Sequence, residues 1–188
     1  MAMPTVLLLK GPFTADDFER LASTGILRED DRVELINGQV VEMSPIGDRH
    51  AHCVRRLNWL LTDRLGRTAR VDVQNPVVLG EHDVPQPDLI VLRPRPDANR
   101  NHPGPSDILL AVEVSDTGLD RDRDIKLPRY AQAGVREVWL VNLPEDQIEI
   151  HRAPAGDGYG IVEVKRQGQS LSPLFAPQLV VEVAEILG

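Results

Sequence analysis

Three acidic residues stand in stretches of the chain that are otherwise apolar or paired in a predicted hairpin. Asp88 directly precedes the apolar run 89–92, Glu113 interrupts the apolar run 109–114, and Glu34 stands in the first arm of the hairpin. A carboxylate that is buried without a partner costs free energy, so a cation is expected beside each one. The candidates are a divalent metal ion, which carboxylate oxygens bind well, or an Arg or Lys side chain.

The order of these carboxylates resembles the signature of the PD-(D/E)XK nuclease superfamily. Pro87-Asp88 is followed, about two dozen residues later, by Glu113-Val114-Ser115. The resemblance implies that two adjacent core strands present Asp88 and Glu113 to Mg²⁺ or Mn²⁺, with the backbone carbonyl of Val114 as a further ligand. It also implies a lysine beside the attacking water, but the usual position, two residues after Glu113, holds Ser115.

Lys126 is the candidate to take over that role. It lies on a helix predicted to follow the Glu113 strand, and such a helix can direct a long side chain back towards the strand end. Tyr130 lies four residues further on and shares that helix face. Lys126 would position or deprotonate the attacking water, or hold the phosphate; a base requires a lowered pKa, which partial burial can cause. As a helix-surface residue, it could be removed with little loss of stability.

Several short segments carry a narrower resemblance. They are Val33-Glu34-Leu35-Ile36-Asn37-Gly38, Ser44-Pro45, His50, Pro87-Asp88-Leu89, Val112-Glu113-Val114-Ser115, Asp124-Ile125-Lys126-Leu127, Tyr130-Ala131-Gln132-Ala133-Gly134-Val135 and Glu137-Val138-Trp139. Together they are similar to a large bacterial family, expanded in cyanobacteria and usually labelled "putative restriction endonuclease", over about residues 14–186. The site residues that this resemblance implies are Glu34, Asp88, Glu113 and Lys126, with His50, Gln74 and Tyr130 as accessory candidates. Glu34 would bind the metal directly, through water, or at a second metal ion.

Each main candidate also has an ordinary structural interpretation. Glu113 could form an ion pair inside the sheet, and Asp88 could cap a turn after Pro87. Glu34 could be the solvent-facing position of a hairpin, and Lys126 could be a solvated residue on a helix surface. These alternatives involve no metal and no catalysis.

The accessory candidates have similar alternatives. His50 shares an apolar helix face and could be a core or cap histidine, and Gln74 could be a structural strand residue. A series of arginines could bind phosphates or could simply form the solvated face of a helix. The arginines are Arg55, Arg56, Arg64, Arg67 and Arg70.

Hydrophobic periodicity and turn signals predict an α/β fold, and the resemblance implies that this fold has a restriction-endonuclease-like PD-(D/E)XK core. Its mixed central sheet, centred on the strands that carry Asp88, Glu113 and Trp139, has helices on its faces. Three helices are predicted. The first is short and begins at the N-cap Thr14, the second spans about 49–65, and the third spans about 122–133. The predicted strands are 32–36, 39–43, 71–79, 89–92, 108–115, 137–141, 147–151 and 159–164, with an irregular loop over 93–106 and a closing segment over 179–187.

The composition is that of a globular chain. Its 188 residues, 41% apolar and 27% charged, predict a single domain over 1–188, with the first ten or so residues as a flexible arm. The net charge of −8 argues against a protein that coats nucleic acid through bulk electrostatics. No run approaches the roughly 18 apolar residues of a membrane span, and a single cysteine indicates a reducing cytoplasm.

These observations predict a metal-dependent endonuclease that hydrolyses nucleic acid, with DNA favoured, and that acts as a homodimer. One alternative is a nuclease-fold interaction module that no longer cleaves, which Ser115 and the acidic net charge favour. Another is a phosphodiesterase that acts on a non-nucleic substrate.

Overall fold

The computed structural model describes residues 10–28, 30–94 and 102–188. The predicted N-terminal arm, except for Lys10, and residues 95–101 of the predicted irregular loop lie outside the described residues. The strands, in chain order, are β1 (Val33–Ile36), β2 (Gln39–Glu42), β3 (Arg70–Val73), β4 (Leu89–Leu92), β5 (Ile108–Ser115), β6 (Glu137–Asn142), β7 (Gln147–Ala155), β8 (Gly158–Arg166), β9 (Ser170–Leu171) and β10 (Val181–Glu182). The helices are α1 (Ala15–Ser23), α2 (Asp48–Leu65), α3 (Leu119–Arg121), α4 (Leu127–Gln132) and α5 (Val183–Leu187), with a π-helical turn over Asp122–Lys126 between α3 and α4.

Six strands form the central sheet in the order β3-β4-β5-β6-β7-β8. Strands β5 and β6 run parallel, while every other neighbouring pair is antiparallel. This arrangement confirms the predicted mixed sheet. β5 is eight residues long and almost wholly buried, as its continuous apolar sequence predicts for a central strand covered on both faces.

Apolar side chains cover both faces of this sheet. On one face, α2 packs Leu57 and Leu61 against sheet residues such as Leu110 and Trp139, all fully buried. The helical spacing of the α2 residues is the one predicted from the sequence. On the other face, α4 packs Tyr130 against the sheet. Burying each such side chain contributes about 1.5–3 kcal/mol, so both layers hold the strands that carry Asp88 and Glu113.

β1 and β2 form a separate two-stranded sheet. Asn37 and Gly38 at its turn have φ of 51° and 72°, the left-handed conformation that a two-residue type I′ hairpin requires. Leu35 pairs with Val40, as predicted. The hairpin signal in the sequence therefore fixes which residues face each other.

The hairpin is attached to the rest of the chain through its backbone. Leu35 and Val84 exchange backbone hydrogen bonds of 3.3 and 2.8 Å. Glu34 pairs with Val41 within the hairpin, as predicted, and its side chain is buried. The attachment therefore turns Glu34 towards the protein interior.

One predicted strand is shorter than expected. The strand predicted over 71–79 ends at Val73, because Gln74 has a φ of 50° and leaves the extended conformation. Its N–H still bonds the carbonyl of Asp88, the residue opposite it on the neighbouring chain segment. The closing segment 179–187 contains the short strand β10 and the helix α5. Among the helices of the described residues, none is both long and apolar enough to cross a membrane.

The helix predicted over 122–133 is not a single regular helix. It begins as a π-turn in which the Leu127 N–H bonds the carbonyl of Asp122, five residues earlier, and α4 follows. Pro128 has no N–H and would clash with the carbonyl of Asp124 in a regular α-helix. The wide turn lies at that place, and it carries Lys126.

Candidate active site

A cleft of about 360 Å³ opens where the hairpin, the start of α2 and the end of β5 meet. The loop 44–47 and the loop 116–118 form its walls. The polar side chains that line it include Arg32, Glu34, His50, Gln86, Asp88, Glu113, Ser115, Asp116, Arg121, Asp122 and Lys126. The four main predicted site residues thus share one cavity.

Asp88 is held by three donors on three different elements. Its Oδ2 accepts the Val114 N–H at 2.9 Å, and its Oδ1 lies 3.0 Å from His50 Nε2 and 3.3 Å from Gln74 Nε2. Burial acts to raise the pKa of Asp88, but the hydrogen bonds and positive charges around it outweigh burial and lower the pKa, with His50 the largest contributor. Asp88 is therefore a fixed carboxylate rather than only a turn cap.

Glu113 lies on β5 and is 2% exposed. Its two oxygens lie 3.2 and 3.1 Å from Lys126 Nζ, and Tyr130 donates its hydroxyl to Oε1 at 2.7 Å. Burial raises the pKa of Glu113 well above its usual range, and the Lys126 charge offsets only part of that effect. Glu113 therefore forms an ion pair, as its ordinary structural interpretation predicts. Both partners of this pair also line the cleft.

Lys126 is 5% exposed, so its interpretation as a solvated helix residue is wrong. Its Nζ lies 2.8 Å from Glu34 Oε1 and 3.1 Å from Glu113 Oε2. Burial acts to lower the pKa of Lys126, but the carboxylates of Glu113, Glu34 and Asp122 outweigh burial and raise the pKa. The side chain is therefore an ammonium, and the lowered pKa that a base would need is not found.

Glu34 is 1% exposed, so its interpretation as a solvent-facing hairpin residue is also wrong. Besides Lys126, it contacts Arg121 NH2 at 3.3 Å through Oε2 and accepts the Gln86 N–H at 3.2 Å through Oε1. Arg121 also donates to the carbonyl of Glu42 on β2. The arginine thus ties the hairpin to α3.

Ser115, in the usual lysine position, hydrogen-bonds Asp122. Asp122 Oδ1 in turn lies 3.9 Å from Lys126 Nζ. Burial raises the pKa of Asp122, and Lys126 lowers it only in part. Ser115 therefore helps to hold the π-turn that delivers the lysine.

Two residues of this site were missed in the sequence: Arg121 and Asp122. Both lie in the alternating acidic and basic run 120–124, which has the appearance of a solvated surface. The one signal that could have identified Asp122 is its position four residues before Lys126, on the same helix face.

The accessory candidates lie beside the main ones. His50 lines the cleft, while Gln74 and Tyr130 contact its carboxylates from outside. The Nδ1 atom of His50 is buried and has no hydrogen-bond partner in the described part of the chain. Val114 contacts Asp88 through its N–H, and the ligand role of its carbonyl stays a prediction.

The donor set fits a hard divalent cation such as Mg²⁺. Five carboxylates line the cleft, from Glu34, Asp88, Glu113, Asp116 and Asp122, beside three permanently charged cations, Arg32, Arg121 and Lys126. Within the described residues, no three His, Cys, Asp or Glu side chains form a ready metal cluster. Mg²⁺ is commonly held by one or two carboxylates and several waters. Asp88 and Glu113 can provide the two carboxylates.

The predicted arginine stripe is partly engaged in other contacts. It comprises Arg55, Arg56 and Arg64 on α2, Arg67 just after α2, and Arg70 at the start of β3. Arg56 donates to the carbonyls of Glu185 and Ala184 at 2.8 and 3.2 Å, and Arg64 donates to the carbonyl of Val180 at 2.7 Å. These two arginines therefore anchor α2 to the C-terminal segment.

Comparisons with known proteins agree with this fold. The chain is similar in structure to a "putative nuclease belonging to DUF820" from Anabaena variabilis ATCC 29413, with a TM-score of 0.74 and 18% sequence identity. The similarity covers 94% of this chain and 98% of that one, and it shows a shared fold. No curated protein matches the chain in sequence. A family profile matches residues 15–184, nearly the whole chain. The predicted resemblance is thus confirmed, and the chain belongs to the Uma2 family, described as "putative restriction endonuclease".

Proposed function

We propose that this protein is an endonuclease that hydrolyses phosphodiester bonds of nucleic acid with the help of Mg²⁺ or Mn²⁺. One observation carries the proposal. Glu34, Asp88, Glu113 and Lys126, which are far apart in sequence, line the same cleft. Three of these have carboxyl side chains and the fourth is a buried ammonium, the groups that phosphodiester hydrolysis requires.

Asp88 and Glu113 are the residues that would hold the metal ion. A bound divalent cation lowers the pKa of a water molecule and neutralises charge on the phosphate. Asp88 is suited to this role because three donors fix its orientation. Partners that fix a metal ligand in this way support metal affinity.

Lys126 acts as a fixed positive charge in this proposal. Because its ammonium contacts two carboxylates, it can donate to a phosphate oxygen or orient the attacking water without losing its proton. Stabilisation of developing negative charge by such a donor is a large contribution to catalysis. The proposed role is therefore electrostatic rather than that of a general base.

Three finer features belong to the proposal as well. DNA is the favoured substrate, and we expect Arg32 and Arg121, which line the cleft, to contact its phosphates. A homodimer would supply two sites for the two strands of a duplex. The reducing cytoplasm is the proposed location, in keeping with the one cysteine, which is buried and free.

Incubation with supercoiled plasmid tests the proposal. We expect nicked and linear product with Mg²⁺ or Mn²⁺ and none in EDTA. Asp88→Asn should be inactive, whereas Glu149→Gln, which alters a carboxylate that does not line the cleft, should retain activity. Failure of the wild-type protein to cleave DNA and RNA with any of several metals would overturn the proposal and favour an interaction module.

A further inference from the structure

The ammonium of Lys126 is enclosed by carboxylate oxygens from three parts of the chain. It lies 2.8 Å from Glu34 Oε1, 3.2 and 3.1 Å from the two oxygens of Glu113, and 3.9 Å from Asp122 Oδ1. Glu34 comes from the separate hairpin and Glu113 from the central sheet. The group that joins these two carboxylates is therefore the lysine itself.

A cation that bridges Glu34 and Glu113 would take the position that the Lys126 ammonium occupies. In two-metal nucleases the ions lie about 3.5–4 Å apart and are held by carboxylates. Among the described residues, Lys126 forms ion pairs with Glu34, Glu113 and Asp122 and none with Asp88. The ammonium thus bridges Glu34 and Glu113 and leaves Asp88 without a lysine partner.

The charges around the cleft support the same division. The cleft is lined by five carboxylates, from Glu34, Asp88, Glu113, Asp116 and Asp122, and by three permanent cations, Arg32, Arg121 and Lys126. When all five are ionised, the carboxylates carry two more negative charges than these cations can neutralise. One divalent cation balances this excess, while a second would place two uncompensated positive charges beside buried side chains, which is costly.

We propose that each chain binds one divalent cation, between Asp88 and Glu113, because the Lys126 ammonium takes the place of a second cation between Glu113 and Glu34. This inference rests on the proposed function for the first metal position. It assigns Glu34 to the lysine rather than to the metal. It also assigns Lys126 a positioning role, since the ammonium holds Glu34 and Glu113 at a fixed separation.

Counting bound Mn²⁺ on the full chain tests this inference, by electron paramagnetic resonance of the free ion and by calorimetry. We expect one ion per chain for the wild-type protein. Lys126→Met keeps much of the side-chain volume but removes the charge, so it should bind two ions. Adding Glu34→Gln to that variant should return the count to one. Circular dichroism with and without Mn²⁺ would establish that each variant is folded.

Glu34→Gln alone keeps the test decisive if Lys126→Met does not fold. With the lysine in place, the count should stay at one, and affinity should fall by no more than the roughly 10–100-fold typical of groups that act behind a ligand. Loss of the ion in this variant would show that Glu34 is itself a metal ligand and would overturn the inference.

The remaining outcomes separate the inference from the proposed function. Two ions on the wild-type protein, or one ion on a folded Lys126→Met variant, would overturn the inference and leave the nuclease proposal standing. Absence of any bound ion, or binding that Asp88→Asn does not weaken, would overturn both.

Discussion

Two buried carboxylates in this molecule, Glu137 and Glu113, have opposite environments. Glu137 is fully buried, and its oxygens accept hydrogen bonds from Arg152 at 2.9 and 2.7 Å and from Trp139 Nε1 at 3.0 Å, and from the Leu174 N–H. One carboxylate thus meets one guanidinium and two neutral donors, and it does not line the cleft. Its charge and hydrogen-bonding capacity are used up within the protein.

Glu113 belongs to a group with unequal charges. Five carboxylates and three permanent cations line the cleft. The comparison teaches that burial alone does not identify a functional carboxylate. The distinguishing features are an excess of negative charge and an opening to a cavity, because only such a group retains the capacity to bind something further.

The largest expected difference between the two regions is in activity. Asp88→Asn or Glu113→Gln should lower nuclease activity by roughly 10³-fold, since each removes a proposed ligand of the metal that stabilises developing charge. Glu137→Gln should instead cost about 3–5 kcal/mol of stability, because Arg152 loses its buried partner. Plasmid cleavage and urea unfolding measured side by side would check this. Full activity in folded Asp88→Asn would contradict the assignment.

Replacing Lys126 is expected to lower both nuclease activity and stability. It therefore combines the effect expected at the cleft with the effect expected at Glu137. Lys126→Ala should lower activity by about 10²–10⁴-fold. The expectation of unchanged stability is revised, because the lysine is buried and its loss leaves Glu113 without an ion pair and Glu34 with Arg121 alone, at about 3–5 kcal/mol.

Lys126→Arg sharpens this prediction, because it keeps the charge and cannot act as a base at neutral pH. Partial activity in the arginine variant would support the electrostatic role. Steady-state kinetics of both variants, with urea unfolding as the control for folding, would make the distinction.

Metal binding should produce a smaller, thermodynamic effect at the cleft only. At a concentration 100 times its dissociation constant, Mg²⁺ would add about 2.7 kcal/mol and raise the melting temperature by roughly 5–10 °C. The double variant Asp88→Asn/Glu113→Gln should show no rise, while Glu149→Gln should match the wild-type protein. An equal rise in the double variant would show that the ion binds elsewhere.

The smallest expected effect is a difference in pH dependence. Because burial raises the pKa of Glu113, metal-free protein should lose stability as pH increases above about 4.3, the unfolded value. Glu113→Gln should remove this loss. Burial also acts to raise the pKa of Glu149, but His151 and Arg123 outweigh it and lower the pKa to about 2, so this group's contribution is lost as pH falls from about 4.3 towards 2.

Urea unfolding in EDTA between pH 3 and 8 would measure both effects. The stability difference between wild type and Glu113→Gln should shift in favour of the variant as pH rises. The difference between wild type and Glu149→Gln should shift in favour of the wild type. The same trend for both variants would remove the contrast between the two kinds of carboxylate.

Much of the fold could be predicted because the pattern of apolar residues determines it locally. The α2 periodicity, the Asn37-Gly38 turn and the apolar run of β5 each specify one element. The early end of β3 was not predicted, because it lies at the left-handed backbone conformation of Gln74. Glutamine has no special preference for that conformation, so the residue type did not indicate it.

The site shows the same limit. Glu34, Asp88 and Glu113 were detectable because carboxylates are unexpected in or beside apolar strands. Arg121 was not, because an arginine in a charged run carries no such signal. Its role depends on how α3 approaches the hairpin, which only the folded chain defines.

The π-helical turn at Asp122–Lys126 acts as the equivalent of a single-residue insertion in a helix. Each helical residue advances the chain by about 100° around the axis, so the turn sets the angular phase between α3 and α4. Deleting one residue there would restore regular winding. It would rotate Arg121 away from Glu34 while Tyr130 stayed packed on the sheet. The alignment of the hairpin with the lysine therefore depends on the length of this short segment as much as on the identity of its side chains.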